Sequence, residues 1–370
     1  MMKKLVFKQI VFRLLILILA VVFAVVAPQS KLFESDEMEH IYKAFVGNKS
    51  DYRGMLEIWN IDAFESGIKP KVTYLEYCAQ KFQKLNKGTY VIVRNLTQSE
   101  CVNLIENGEM PDVLSCSYGL LGDVKDYFRA FSSENNKVDS KFVEAGKDAD
   151  GALYGLAWAY GCYYLISTQE NLEKAGKETC NLNELVYECE YEYKLGKKTK
   201  ISKSLVYAES NGIMPKRALD AYNIARSIQI IADPQVEIKL QSQYSAYTSF
   251  LANNASIILG THRDMIRLKA REDAGKISEL VYTPLVNWTD LVQFAFLTHK
   301  GSDMRKQYAE KFALYLVDEK NQTKLDEVGL FSVLGVSDEL KSGIMRDIIP
   351  DNFSELKPKS IIEQFDLDRQ

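Results

Sequence analysis

Histidine is scarce in this chain: among 370 residues there are only His40, His262 and His299, each in a separate segment. No His-x-x-x-His or Cys-x-x-Cys pair occurs, which excludes a zinc site of ordinary spacing. Also missing are a Gly-x-Ser-x-Gly elbow, a Walker loop, a Gly-x-Gly-x-x-Gly turn and a His-Glu-x-x-His run. The chain is therefore read as a non-enzyme that uses no metal and no cofactor. Excess positive charge is lacking too. The formal net charge is −4, and nucleic-acid binding, which rests on a basic face, is excluded as a function. The Lys197–Lys200 cluster reads as a solvated turn.

The N-terminus sets the compartment. Lys3, Lys4, Lys8 and Arg13 precede an uncharged apolar run from Leu14 to Ala27, the order of an export signal. That run is shorter than the roughly 20 residues of a membrane span, although Ile10-Val11-Phe12 extends it toward an uncleaved signal-anchor. Residues 1–30 are read as signal peptide or signal-anchor and residues 31–51 as a tether. The first cysteine is Cys78, so no lipid-anchored lipoprotein is encoded. The four cations are the leader's only charges, and the exported part carries −8. About 340 residues remain, enough for two domains. The six cysteines fall three and three between Cys78–Cys116 and Cys162–Cys189, an odd number in each half. Mainly free, packed thiols are expected.

Along the exported part, strands and helices alternate. Leu56–Ile61 reads as a strand, and Val72–Leu85 carries the apolar stripe Val72, Leu75, Cys78, Ala79, Phe82 and Leu85 of an amphipathic helix. Thr89–Leu96 is a β-branched strand, Ser99–Asn107 a helix stopped by Gly108, and Val113–Cys116 a strand. This order predicts a parallel α/β sheet. One or two strands follow over Tyr154–Ile166, then a helix over Glu170–Ala175. Further helices are expected at Arg217–Ile231, Val236–Leu251 and Asp303–Val317. Strands are expected at Ile201–Tyr207, Ala255–Leu259 and Val281–Pro284, and Asp290–Leu297 reads as a further strand or a ligand-facing segment.

Three tryptophans occur, each placed just past a short apolar run. In an α/β protein the ligand crevice lies beyond the carboxyl ends of the strands. Trp59, Trp158 and Trp288 are thus either a stacking platform for a flat, polar ligand or ordinary core rings.

The order of motifs resembles the extracellular solute-binding proteins of bacterial ABC importers, the carbohydrate-type family 1 group that includes maltose-binding protein. The resemblance runs from Leu56-Glu57-Ile58-Trp59 and Phe64-Glu65-Ser66-Gly67 through Phe82-Gln83-Lys84-Leu85-Asn86 and Gly108-Glu109-Met110-Pro111-Asp112-Val113-Leu114. It continues with Tyr154-Gly155-Leu156-Ala157-Trp158, Asn171-Leu172-Glu173-Lys174-Ala175-Gly176 and Ala255-Ser256-Ile257-Ile258-Leu259-Gly260. Thr261-His262 follows Gly260, where the family often has an aromatic. The resemblance implies an α/β, two-lobed, type II periplasmic-binding-protein fold with a hinge and an interlobe ligand cleft. Lobe 1 is assigned residues 52–154 plus 282–301, and lobe 2 residues 155–281 plus 302–370. It also implies a monomer that captures a small solute, a sugar or sugar derivative, and delivers it to an ABC permease in the membrane. A surface sensor for a membrane kinase and a carboxylate-based glycoside hydrolase stand as alternatives.

A sugar needs rings for its C–H faces and acceptors for its hydroxyls. The expected ligand-binding set is Trp59, Asn60, Glu65, Ser115, Ser117, Tyr118, Trp158, Tyr160, Arg263, Trp288, Thr289 and Asp290. Trp158, Trp288 and Tyr118 are the stacking candidates; Asn60, Glu65 and Asp290 are the acceptors. Arg263 either binds a ligand carboxylate or phosphate bidentately or pairs with Asp264 or Asp290. If the leader is an export signal, protease added to intact protoplasts digests the chain beyond about Ser30; full protection would contradict it.

Overall fold

The computed structural model describes residues 49–62, 64–117, 127–132, 137–175, 178, 205–209, 239–252, 257–286, 288–335, 343–350 and 353–361. The signal and most of the tether, the Arg217–Ile231 helix, the Lys197–Lys200 turn and Tyr118 lie outside them.

Strand β1 (Lys49–Ile61) is followed by helix α1 (Val72–Leu85), β2 (Lys87–Leu96), α2 (Gln98–Glu106) and β3 (Val113–Ser117). β1 begins at Lys49, so the residues expected to end the tether are already strand. Helix α1 keeps its predicted bounds, with Leu75, Cys78 and Ala79 buried, but Leu85 is 57% exposed and Tyr74, off the stripe, is buried. Thr97 and Glu100 form the capping box that starts α2. Next come β4 (Phe128–Arg129), α3 (Ser140–Ala145), β5 (Gly155–Tyr160), β6 (Tyr163–Thr168) and α4 (Gln169–Ala175). The second half holds β7 (Leu205–Glu209), β8 (Lys239–Ser242), α5 (Gln243–Leu251), β9 (Ile257–Thr261), α6 (His262–Asp273), β10 (Leu280–Leu285) and β11 (Val292–Thr298). Last are α7 (Asp303–Leu316), α8 (Glu319–Gln322) and α9 (Gly343–Ile348). The single helix expected over Val236–Leu251 is instead β8 and then α5.

Of the described residues, 49–54 together with Lys81–Tyr90 form one compact unit. Within it Thr89 Oγ1 donates to the Tyr52 carbonyl at 3.0 Å and Asn86 Nδ2 to that of Phe82 at 2.9 Å. The other unit, Met55–Gln80 with Val91 onward, carries the rest.

Among the described residues there are two sheets. The first has the order β2–β1–β3–β11–β4, with β5 also pairing with β11; the second has the order β10–β6–β9–β7–β8. β1 and β3 are parallel, as expected, but β11 runs antiparallel to β3, β4 and β5, so the first sheet is mixed. β3, β5 and β11 are buried along their whole length, which is why they read as continuous apolar runs.

Sheet membership moves the expected lobe boundaries. Gly155–Tyr160, assigned to lobe 2, belongs to the first sheet, and Leu280–Leu285 belongs entirely to the second. Helix α7, also assigned to lobe 2, packs on β11, β3 and β5. Its Arg305 holds Asp112, at the start of β3, through Nε at 2.6 Å and Nη2 at 2.8 Å, while Asp112 also accepts the Glu57 amide at 2.7 Å. The chain passes from the first sheet to the second at Gly161-Cys162 and returns over residues 286–291.

Two tryptophans expected beyond strand ends lie inside strands. Trp59 is within β1 and Trp158 within β5, both fully buried. Trp158 stacks on Tyr74 at 5.1 Å, with the planes 7° apart, and donates its indole N–H to Ser115 Oγ at 3.2 Å. Cys78, Cys101, Cys116 and Cys162 are buried free thiols, and burial pushes Cys78 up to about 12; Cys180 and Cys189 lie outside the described residues. Trp158→Ala opens a core cavity and strips Ser115 of a partner, so urea unfolding shows a loss of about 3–5 kcal/mol.

Candidate functional site

β1 ends at Ile61, and the following loop runs to the start of α1. It meets the N-terminus of α6, which follows β9 of the second sheet. Together they bound a groove of about 520 Å³, whose charged walls are Asp62, Glu65, Lys69, Lys71, Arg263 and Arg267.

Glycine permits this approach. Gly67 has φ +116°, and a Cβ there would lie 2.7 Å from Ile266 Cδ1 and 3.3 Å from Arg263 Cα. On the other side of α6, a Cβ on Gly161 would stand 2.2 Å from the His262 ring. Between these loops α6 begins with a capping box in which Asp264 accepts the Thr261 amide at 3.0 Å. The Thr261-x-x-Asp264 spacing was the signal for this helix, absent from the sequence reading.

Charges in the loop are held individually. Lys71 is buried, donates to the Phe64 carbonyl at 2.6 Å and sits 3.9 Å from the Phe64 ring centroid and from Asp62. Burial lowers its ammonium to about 8 even though Asp62 pulls the other way. Asp62 also accepts from Asn60 Nδ2 at 3.0 Å and Asn95 Nδ2 at 2.8 Å. Glu65 pairs with Arg263, joining the loop to α6. Arg263 thus takes neither of its expected partners, because Asp264 is turned inward to cap the helix and Asp290 accepts from Tyr163 at 2.9 Å.

Beneath the loop lies a buried amide–hydroxyl network. Gln293 Nε2 is within 3.0 Å of Ser115 Oγ, 3.2 Å of Asn60 Oδ1 and 3.3 Å of the Ile61 carbonyl. Ser115 Oγ in turn donates to Asn60 Oδ1 at 3.0 Å. A glutamine inside the apolar run Val292–Thr298 was the sequence signal for it.

Of the expected ligand-binding set, the groove brings together Glu65 and Arg263 only. Asn60 and Ser115 belong to the buried network, and Trp59 donates to Glu57 at 2.8 Å. Tyr160 is enclosed by Phe142, Phe331 and Phe353 at 5.0, 5.2 and 5.8 Å. Ser117 is buried at the end of β3. Trp288, Thr289 and Asp290 lie in the return crossing. Trp288 stacks on Tyr163 at 6.1 Å, and Thr289 donates to the Gly161 carbonyl at 2.9 Å. Trp288 is the one tryptophan with its surface partly open. Lys69, Lys71, Arg267 and Asp62 were missed, since spacing alone does not show which surface charges converge.

No family model matches the sequence, and no curated protein matches it. Solved structures do match in fold. The GacH receptor of Streptomyces glaucescens, solved unliganded and with acarbose, aligns with a TM-score of 0.60 at 13% identity, over 86% of this chain and 90% of that one. Maltose-bound MalE3 of T. maritima gives 0.61 at 13%, over 85% and 91%. A family 1 extracellular solute-binding protein from Bifidobacterium longum subsp. infantis gives 0.58 at 13%, over 84% and 89%. The chain has the two-lobed α/β fold of these proteins, with one sheet in each lobe and the groove between them.

His262, packed against Phe64 of the groove loop, generates a pH dependence. Burial, with the Lys71 charge adding to it, lowers the His262 imidazole to about 3. An unfolded histidine takes up a proton below about 6.5. The stability contributed by neutral His262 is therefore complete above pH 6.5 and is lost as pH falls toward 3. Urea unfolding gives about 2 kcal/mol less stability at pH 5 than at pH 7, and His262→Gln removes most of that difference. Glu57 acts only at lower pH: burial raises its carboxyl, but hydrogen bonds from Trp59, Lys300 and Arg94 outweigh this and hold it at about 2.

Proposed function

We propose that this chain is an extracytoplasmic solute-binding protein of the carbohydrate type, which captures a saccharide in the groove between its lobes and hands it to an ABC permease. One observation carries the reading. The groove is walled by loops from two different sheets, joined by short crossings at 161–162 and 286–291, so a ligand touching both walls favours closure. Both groove carboxylates among the described residues are tied to cations or amides of the chain itself. That supports binding over catalysis. The apolar, charge-flanked N-terminus supports work outside the cytoplasmic membrane, and among the described residues no helix is long and apolar enough to cross one.

Arg263 is proposed as a direct contact, with Glu65, its ion-pair partner, beside it on the groove wall. Trp288, partly open on the return crossing and outside the groove lining, is proposed as the ring that reaches a sugar face, because Trp59 and Trp158 are enclosed. Thermal unfolding in the presence of sugars, sugar acids, amino acids and polyamines tests the assignment. A saccharide at about 100 times its dissociation constant raises stability by about 2.7 kcal/mol, and Trp288→Ala weakens that saccharide at least tenfold while the unliganded melting temperature holds. A shift by amino acids or polyamines with none by any saccharide would sink the reading.

A further inference from the structure

The groove contains more positive than negative charge: Lys69, Lys71, Arg263 and Arg267 face it against Asp62 and Glu65. The two carboxylates are unequal. Asp62 is fixed by Asn60, Asn95 and Lys71, on the rim of the buried network. Glu65 stands on the loop with 43% of its side chain exposed, and Arg263 is its ion-pair partner. Arg263 is the opposite kind of group. Only 18% of its side chain is exposed, and it sits in the first turn of a twelve-residue helix whose start is pinned by the Asp264 cap. One turn further along α6, Arg267 stacks on Tyr247 at 4.2 Å, so its guanidinium is held as well.

A planar guanidinium presents a fixed fork matched to a carboxylate or a phosphate, and it is poorly matched to a lone hydroxyl. Here the fork is rigid and its occupant is a half-exposed side chain on a loop. Returning the half-exposed Glu65 carboxylate to water costs little, whereas leaving the shielded Arg263 guanidinium without an anion costs much more. A neutral sugar entering the groove would have to leave Glu65 in place or strip Arg263 of the one anion that pairs with it among the described residues. A ligand bearing its own anionic group exchanges one carboxylate for another.

Resting on the carbohydrate reading above, we infer that the groove takes an acidic saccharide, a uronic acid or sugar phosphate, whose anionic group replaces Glu65 on Arg263. Glu65 is then an internal competitor that occupies the anion site and ties the loop to α6 until ligand arrives. Lys69 and Arg267 set the positive field around that site and favour the approach of an anion.

Isothermal titration with trigalacturonate and glucose 6-phosphate, against maltotriose and glucose, tests this on the exported chain. At least one acidic probe binds tenfold or more tightly than its neutral counterpart, and its affinity falls with added salt; which of the two does so tells a carboxylate from a phosphate ligand. Glu65→Gln removes the competitor and tightens the acidic probe about tenfold, whereas Arg263→Gln weakens it tenfold or more. Glu65 is surface-exposed, so its variant reads out even if Arg263→Gln fails to fold. Tighter binding of the neutral probes, or weaker binding of the acidic probe to Glu65→Gln, overturns the inference: Glu65 is then an acceptor for sugar hydroxyls. Neutral binding alone leaves the carbohydrate reading standing, while no binding by any of the four probes removes both.

Discussion

A single buried amide, that of Gln293, ties together the three strands that support the groove. Its Nε2 lies on β11 yet reaches Ser115 on β3 and both Asn60 and Ile61 at the end of β1. In an interior otherwise built of Leu, Phe and Val, those polar atoms have no water to fall back on, so each partner is required by the others. Asn60 passes the constraint outward, since its Nδ2 holds Asp62, the first residue of the groove loop. Trp158 closes the network from β5 by donating to Ser115. Strand ends that would otherwise fray are thereby held in one register, and the loop leaves the sheet in a defined direction.

From that base the groove is built by close approach. The loop rests on α6 because Gly67 lacks a Cβ, and α6 rests on the β5–β6 crossing because Gly161 lacks one. His262 fills the space between, against Phe64 and Phe331 at 5.9 Å each. With the aromatic side chains drawn into these packings, the groove offers ion-pairing groups on its walls. This changes the emphasis of the chemistry from stacking to charge. Trp288, on the return crossing, is the tryptophan left partly open, stacked on Tyr163.

Much of the architecture was legible in the residues because it depends on local periodicity. Helix α1 was bounded at Val72 and Leu85 by its stripe, α2 was stopped by Gly108, and β3 was marked by a short apolar run. Legibility failed where local signals compete. Over 236–251 an apolar pattern that suits a helix is split by pairing of Lys239–Ser242 with β7. At Thr261-His262 a helix starts directly from a strand with no intervening turn residue. Sheet membership was equally hidden: β5 and β6 are separated by two residues yet belong to different sheets, a fact of long-range pairing.

The candidate site divides along the same line. Glu65 and Arg263 were recognised from residue type, a carboxylate that can accept from hydroxyls and a guanidinium that can hold an anion or pair with a carboxylate. That they pair with each other, across nearly two hundred residues and two sheets, was decided only by the packing of α6 against the loop. Long-range packing likewise turned Trp59 and Trp158 from candidate surfaces into core, Trp158 against Tyr74. What the sequence by itself determined is the local order of strands and helices, since hydrogen-bonding periodicity and caps act over a few residues. What only the tertiary structure decided is which side chains face the groove, because burial and ion pairing depend on neighbours that the chain brings together from afar.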